Sequence, residues 1–219
     1  MKKTIKTESP VEYIVWTVLV VLVVGGVYAF RNLIFNNNID EVVSGKVYRS
    51  AQMTSHKLRE TTRRLGIKTV INLRGRKDEP WYREEKMVCE EEGILLEDVG
   101  FSNRKYPKAS QLTTLLAALS KNDNEPVLIH CRQGTDRSGL ASAFVMIIRG
   151  HPPEKVLEEF SLRHGSFGTG FNRKMRSVIE SYLAWVEQKG EEPGEESLWN
   201  WINNAYQDFL NNAKGSAKN

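Results

Sequence analysis

A chain of 219 residues with 40% apolar content can bury one core of ordinary size, and no second periodic block asks for another. Its 31 basic and 27 acidic residues leave a formal charge of +4, too slight a bias to call for a nucleic-acid partner. Two cysteines, Cys89 and Cys131, give no disulfide framework, and no internal repeat is present.

Residues 14–30, IVWTVLVVLVVGGVYAF, are apolar apart from Thr17 and two glycines, with an aromatic residue near each end. At about 1.5 Å per residue the run is at the short limit for a membrane span, and Tyr13 and Leu33-Ile34-Phe35 extend it. It reads as a transmembrane helix. A cleaved signal peptide processed at Val27-Tyr28-Ala29 and a buried globular helix are the competing readings. Lys2, Lys3 and Lys6 precede the run, and Arg31 is the one basic residue in the dozen that follow. The positive-inside bias puts the N-terminus in the cytoplasm and the rest of the chain across the membrane, or secreted if the helix is a cleaved signal.

After a polar stretch at Asn36 to Asp40, a strand is expected over Lys46–Arg49 and a helix over Thr54–Leu65, capped by Thr or Ser and stopped by Gly66. A β-branched strand follows at Lys68–Leu73, then a helix at Pro80–Glu92 ended by Gly93, a strand at Ile94–Val99 and a helix at Ser110–Ser120. Pro126-Val127-Leu128-Ile129 reads as a buried strand running to His130, and Gly139–Arg149, Pro153–His164 and Phe171–Gln188 read as helices. The expected fold class is α/β, a central, mainly parallel sheet flanked by helices. EQKGEEPGEES, residues 187–197, reads as a linker. Beyond it Leu198, Ile202, Tyr206, Phe209 and Leu210 recur at helical spacing beside Trp199 and Trp201. Docking of that helix onto the domain is one reading; lying on a membrane surface or a partner is the other. The expected division is 1–35 for tail and membrane helix, 36–189 for the globular domain, and 190–219 for linker and amphipathic helix.

HCRQGTDRSG, residues 130–139, joins a strand to a helix. Such a loop points several backbone N–H groups into one concavity, where the helix dipole also favours negative charge. Cys131 and Arg137 bracket it. A helix N-terminus and nearby arginines lower a cysteine pKa, and the thiolate is the nucleophilic form. Arg137 can hold two phosphoryl oxygens with its planar fork. A buried cysteine and a solvated arginine are the bland readings of each residue alone; together the spacing points to phosphoryl transfer to sulfur.

The stretch resembles the signature loop of the cysteine-dependent protein tyrosine and dual-specificity phosphatases, His-Cys-x-x-Gly-x-x-Arg-Ser/Thr-Gly, and every fixed position matches. GKVYRSAQM (45–53) and LGIKTVINLRGRKDEPWYREE (65–85) are similar to the compact bacterial members of the dual-specificity-like branch, so the resemblance spans about residues 40–185. It implies Cys131 as the nucleophile that carries a phosphocysteine intermediate and Arg137 as phosphate clamp. Ser138 would assist hydrolysis of the intermediate. The backbone amides of Arg132, Gln133, Gly134, Thr135, Asp136 and Arg137 would hold the phosphoryl oxygens. No metal or other cofactor is implied. In a bacterial cell, as the resemblance implies, the domain would be periplasmic or extracellular.

The leaving oxygen needs a general acid. Asp98 stands thirty-three residues before Cys131, but GFSNRKYPKAS after it carries no acid. Asp136 lies inside the loop, as in bacterial phosphatases with Gly-x-Asp-Arg in the signature, and is the preferred candidate; orienting a neighbouring amide is its structural alternative. Arg74 and Arg76 follow a strand end as further phosphate contacts, or as partners of Asp78 and Glu79. The glycine-rich HGSFGTGF (164–171) is a weaker candidate border of the pocket. Cys89 is either a resolving thiol for Cys131 or a buried core residue.

These residues predict a membrane-anchored phosphatase for phosphotyrosine, with phosphoserine or phosphothreonine also open. Alternatives are a phosphoinositide, inositol phosphate or other phospholipid headgroup as substrate, and a non-catalytic module that captures phosphorylated partners. A rhodanese-like sulfur transferase would not require Arg at this spacing followed by Ser-Gly.

Overall fold

The computed structural model describes residues 10–34, 37–121, 126–166 and 173–215, with the side chains of 28–34 and 214 outside the description. Lys2, Lys3 and Lys6, on which the positive-inside reading rests, and the 167–171 part of the glycine-rich segment lie outside the described residues.

A five-stranded mixed sheet has the order β1-β2-β5-β3-β4, built from β1 (Asp40–Val43), β2 (Val47–Ala51), β3 (Thr69–Asn72), β4 (Leu95–Asp98) and β5 (Val127–Cys131). Strands β2, β5, β3 and β4 are parallel, and β1 is antiparallel to β2. The sequence left β1 unseen. Its Asp40 and Glu41 are polar enough for a loop, and the strand forms at the sheet edge by pairing back on Val47–Arg49 across the turn at Gly45.

Side chains of β5 alternate between two layers. Val127, Ile129 and Cys131 face a large core with helices α4 (Ala109–Lys121), α5 (Asp136–Ile148) and α7 (Arg173–Lys189). Leu128 faces a smaller one beneath α2 (Ser55–Leu65) and α3 (Pro80–Glu91). The caps behave as their residues demand. The Thr54 hydroxyl accepts from Lys57 N at 3.3 Å, Gly66 takes φ 67°, and Pro80 opens α3.

Three elements depart from expectation. Helix α6 spans Pro153–Glu158 and stops short of His164, because the next carbonyl, that of Glu159, turns to Arg49 Nη1 at 2.8 Å; a 3₁₀ turn then covers Leu162–His164. The tail is two helices, α8 (Glu195–Asn204) and α9 (Tyr206–Gly215). Part of the stretch read as a linker is anchored rather than free: Tyr182 Oη and Ser197 Oγ lie 2.7 Å apart, and Gly194 N donates to Tyr182 Oη at 3.0 Å. Leu198, Trp201, Ile202 and Tyr206 are buried in the large core, so this segment docks onto the domain. The apolar N-terminal helix α1, third, spans Pro10–Ile34, about 37 Å at 1.5 Å per residue, longer than the apolar run alone. Its described side chains are exposed, and the window Pro10–Val27 has mean hydropathy 2.0.

Candidate active site

The loop of residues 130–139 sits where parallel strands end, at the carboxyl edge of β5, with the loops after β3 and β4 beside it. Those two loops touch backbone to backbone. A Cβ on Gly75, at φ 72°, would stand 2.7 Å from Gly100 Cα, which is why both positions are glycine.

Residues Cys131 to Arg137 wrap a cavity of 560 Å³ that Cys131, Arg132, Gln133, Thr135, Asp136 and Arg137 help to line. Cys131 is 3% exposed yet opens onto this space. Its Sγ accepts from Gly134 N at 3.2 Å. Burial works against ionisation, but the Arg137 charge and hydrogen bonds from the Ser138 hydroxyl and the backbone at Ser138 and Gln133 outweigh it, bringing the thiol below its ordinary value. The Ser138 hydroxyl also stands 3.4 Å from Ser50 O, a long contact that competes poorly with a charged sulfur.

Arg137 lies in the first turn of α5, which begins at Asp136, three residues earlier than the apolar run suggests. Its Nη1 donates to Leu73 O at 3.0 Å and Phe101 O at 3.2 Å, tying the two neighbouring loops, and its buried Nε has no protein partner. The remaining donors of the fork are the ones available to an anion.

The outer side of the loop is held by residues that sequence reasoning missed. Asn38 Nδ2 donates to Gln133 O and Gly134 O, each at 3.1 Å, and to His164 O at 3.0 Å. Arg49 Nη2 donates to Gly134 O at 2.8 Å and Thr135 O at 2.9 Å, while its Nη1 meets Glu159 Oε2 at 2.6 Å. In a trans peptide the N–H points opposite to the C=O. Pulling the carbonyls of 133, 134 and 135 outward therefore aims the amides of Gly134, Thr135 and Asp136 inward, toward sulfur and cavity. Gly134 makes the close approach possible: at φ 70°, its Cβ would lie 2.7 Å from Ala51 N. The signal for Arg49 was the period of β2, which places it on the same face as Val47, a buried one. Arg49 is fully buried, and burial lowers its pKa even with Glu159 beside it.

Arg49 thus fixes the shape of the loop through its carbonyls. Arg49→Met is expected to lower kcat roughly 100-fold and cost about 3 kcal/mol of stability by leaving the carboxylate and the carbonyl of Glu159 without their partner and taking one donor each from Gly134 O and Thr135 O. It should also raise the apparent pKa for alkylation of Cys131 by iodoacetamide. An unchanged alkylation profile would show that Arg49 only holds the fold.

The two candidate acids differ in setting. Asp136 is buried on the cavity wall, its Oδ1 has no protein partner, and burial raises its pKa against the pull of Arg137 and Arg49. Asp98 accepts from Asn72 Nδ2 at 2.9 Å and Tyr82 Oη at 2.5 Å, and it borders a neighbouring depression instead. Arg76 lines that depression too, whereas Arg74 borders both spaces. His130 Nε2 lies 3.2 Å from Glu85, on the opposite face of β5 from Cys131. Cys89 packs in the small core and Cys131 in the large one, on opposite sides of the sheet, and burial pushes the Cys89 thiol up to about 12. Cys89 is a core residue in this arrangement.

The sequence pattern of the tyrosine phosphatase family matches residues 24–213. A curated relative, the dual specificity protein phosphatase TpbA of Pseudomonas aeruginosa, is 26% identical over 127 residues, which cover 58% of this chain and 54% of TpbA. The chain thus spans about half the length of that relative. Among solved structures, the core catalytic domain of the S. cerevisiae PP-IP phosphatase Siw14, in complex with citrate, superposes with a TM-score of 0.53 at 21% identity, covering 70% of this chain and 93% of that domain. A Cys-to-Ser form of TpbA in complex with pTyr gives 0.52 at 22% identity, covering 78% and 93%. Both likenesses concern the fold.

Proposed function

The chain belongs to the tyrosine phosphatase family, and on that premise we propose that it is a cysteine-dependent phosphomonoesterase acting through a phosphocysteine intermediate, with phosphotyrosine as first candidate substrate. The observation that carries this reading is the pairing of Cys131 Sγ, 3.2 Å from an inward-facing amide, with an Arg137 fork anchored on the same cavity.

In this reading the Cys131 thiolate attacks phosphorus in line with the ester oxygen. The amides of Gly134, Thr135 and Asp136 and the free edge of Arg137 take up charge on the phosphoryl oxygens. As the P–O bond breaks, Asp136 gives its proton to the leaving oxygen. Water then attacks the phosphocysteine and returns a proton to Asp136; the S–P bond breaks, inorganic phosphate forms, and the Ser138 hydroxyl stabilises the departing thiolate. The elevated pKa of buried Asp136 suits the acid role, because the carboxyl stays protonated to higher pH than an exposed aspartate.

Activity then requires sulfur ionised and Asp136 protonated. Rates rise with pH as the thiol ionises and fall as Asp136 loses its proton. Asp136→Asn is expected to remove the falling limb and to slow a poor leaving group, phenyl phosphate, by roughly 100-fold or more while slowing p-nitrophenyl phosphate far less. If Asp98→Asn produces that pattern instead, the acid assignment fails.

The described cavity lining carries no aromatic or aliphatic side chain, and besides Arg137 it presents Arg74, Lys77, Arg104 and Arg132. That supports a second reading, an inositol phosphate or phospholipid headgroup as substrate, since a phenyl ring gains from an apolar wall and a polyanion from cations. Helix α1 belongs to the same proposal as a membrane anchor, because a 25-residue helix with its described apolar side chains exposed has no stable place in water.

A further inference from the structure

We propose that the cavity contains a second anion seat, built by Arg74 with Lys77 beside the phosphoryl cup, and that it takes a second phosphate of the same polyol substrate. The inference rests on the phosphatase reading of Cys131 and deepens it.

Arg74 is a constructed feature rather than a loose surface arginine. Its backbone N donates to Asn72 Oδ1 at 2.9 Å, fixing the turn after β3. Its Nη1 donates to Gln52 Oε1 at 3.1 Å. Gln52 is fixed in turn: its Nε2 donates to the buried Glu85 at 2.5 Å, and Glu85 lies against His130, next to the nucleophile. The Arg74 guanidinium lies 3.4 Å over the ring of Trp81, so one face and one edge are occupied. Glu79 Oε2 is 4.0 Å from Nη2 and its side chain is 55% exposed, a weak competitor. What remains of the fork borders the same cavity as Cys131 and Arg137, with the exposed Lys77 beside it.

Charge makes the same point. Arg74 feels repulsion from Arg137 and Arg132, and Asp136 is the one acid among the described lining residues. One phosphoryl group in the cup compensates Arg137. The other cations lining the cavity call for further negative charge, and a planar fork held on one face and one edge suits a phosphate or carboxylate taken bidentately. A second phosphate on a vicinal polyol carbon also needs no apolar wall, which matches the lining. A lipid headgroup and a free inositol phosphate share this chemistry.

The test compares kcat/KM of the full chain in detergent for myo-inositol 1,4,5-trisphosphate, whose 4- and 5-phosphates are vicinal, and myo-inositol 1,4-bisphosphate, which lacks only the 5-phosphate. Short-chain phosphatidylinositol 4,5-bisphosphate and phosphatidylinositol 4-phosphate form the lipid pair, and phosphotyrosine peptides with neutral and acidic flanks a third. The wild type should favour the vicinal bisphosphate by about tenfold or more in at least one polyol pair, and whichever pair shows it identifies the source. Arg74→Gln and, separately, the exposed Lys77→Gln should each bring that ratio toward one, and added salt should do the same. A wild-type ratio near one in both polyol pairs, or a ratio that survives both substitutions, overturns the second seat while leaving the phosphatase reading standing. A preference confined to acidic peptides overturns the polyol assignment. Absence of turnover of p-nitrophenyl phosphate as well would sink the phosphatase reading itself.

Discussion

Cys131→Ser is expected to abolish hydrolysis of p-nitrophenyl phosphate, a loss of roughly 10⁵-fold or more in kcat, with the fold retained. Burial opposes ionisation of the sulfur, but the Arg137 charge and the hydrogen bonds from Ser138 and the Gln133 backbone outweigh it, and the Gly134 amide stands 3.2 Å from Sγ. A serine hydroxyl in that place is not ionised by such a field, and the shorter side chain lies further from phosphorus. Because oxygen for sulfur is a small change at the end of a buried strand, the melting temperature should move little. The amides and Arg137 stay in place, so inorganic phosphate should still bind. Turnover close to wild type would remove Cys131 from the chemistry.

The second large effect belongs to Arg137. Arg137→Lys is expected to lower kcat by roughly 10³-fold although the charge is kept. The native guanidinium holds Leu73 O and Phe101 O with Nη1 while other N–H groups remain for the phosphoryl oxygens. One ammonium cannot do both. If it turns to the carbonyls the phosphoryl charge is unmet, and if it turns to phosphate the loops after β3 and β4 lose a tie. Steady-state kinetics on p-nitrophenyl phosphate decide this, and a kcat within tenfold of wild type would show that charge alone suffices.

Local chemistry made much of this molecule legible. Thr54 and Gly66 bound α2, Pro80 opens α3, and the run from Val127 to Cys131 is the buried central strand that feeds the loop. The loop itself was readable because the proposed nucleophile Cys131, the proposed clamp Arg137 and the amides between them are contiguous. What escaped were residues whose meaning depends on distant partners. Asn38 stands in a polar tract that composition assigns to a connector, yet it is buried and bonds three carbonyls more than ninety positions away. Arg49 is charged in a strand and looks like a surface residue until Glu159 and the loop carbonyls close around it. The end of α6 and the division of the tail at Ala205 are likewise set by what the chain meets in three dimensions, not by its local pattern. Between Asp98 and Asp136 sequence distance gave no decision; the Asn72 and Tyr82 bonds to Asp98 supply a physical reason to prefer Asp136.

The central claim is that phosphorus becomes bonded to the sulfur of Cys131 during each turnover. Rapid acid quenching of the enzyme during hydrolysis of p-nitrophenyl phosphate, followed by mass spectrometry of its peptides, should find a phosphoryl group on the Cys131 peptide in the wild type and none in Cys131→Ser. Steady turnover with that peptide unmodified at every quench time, or with the phosphoryl group on another residue, would contradict it.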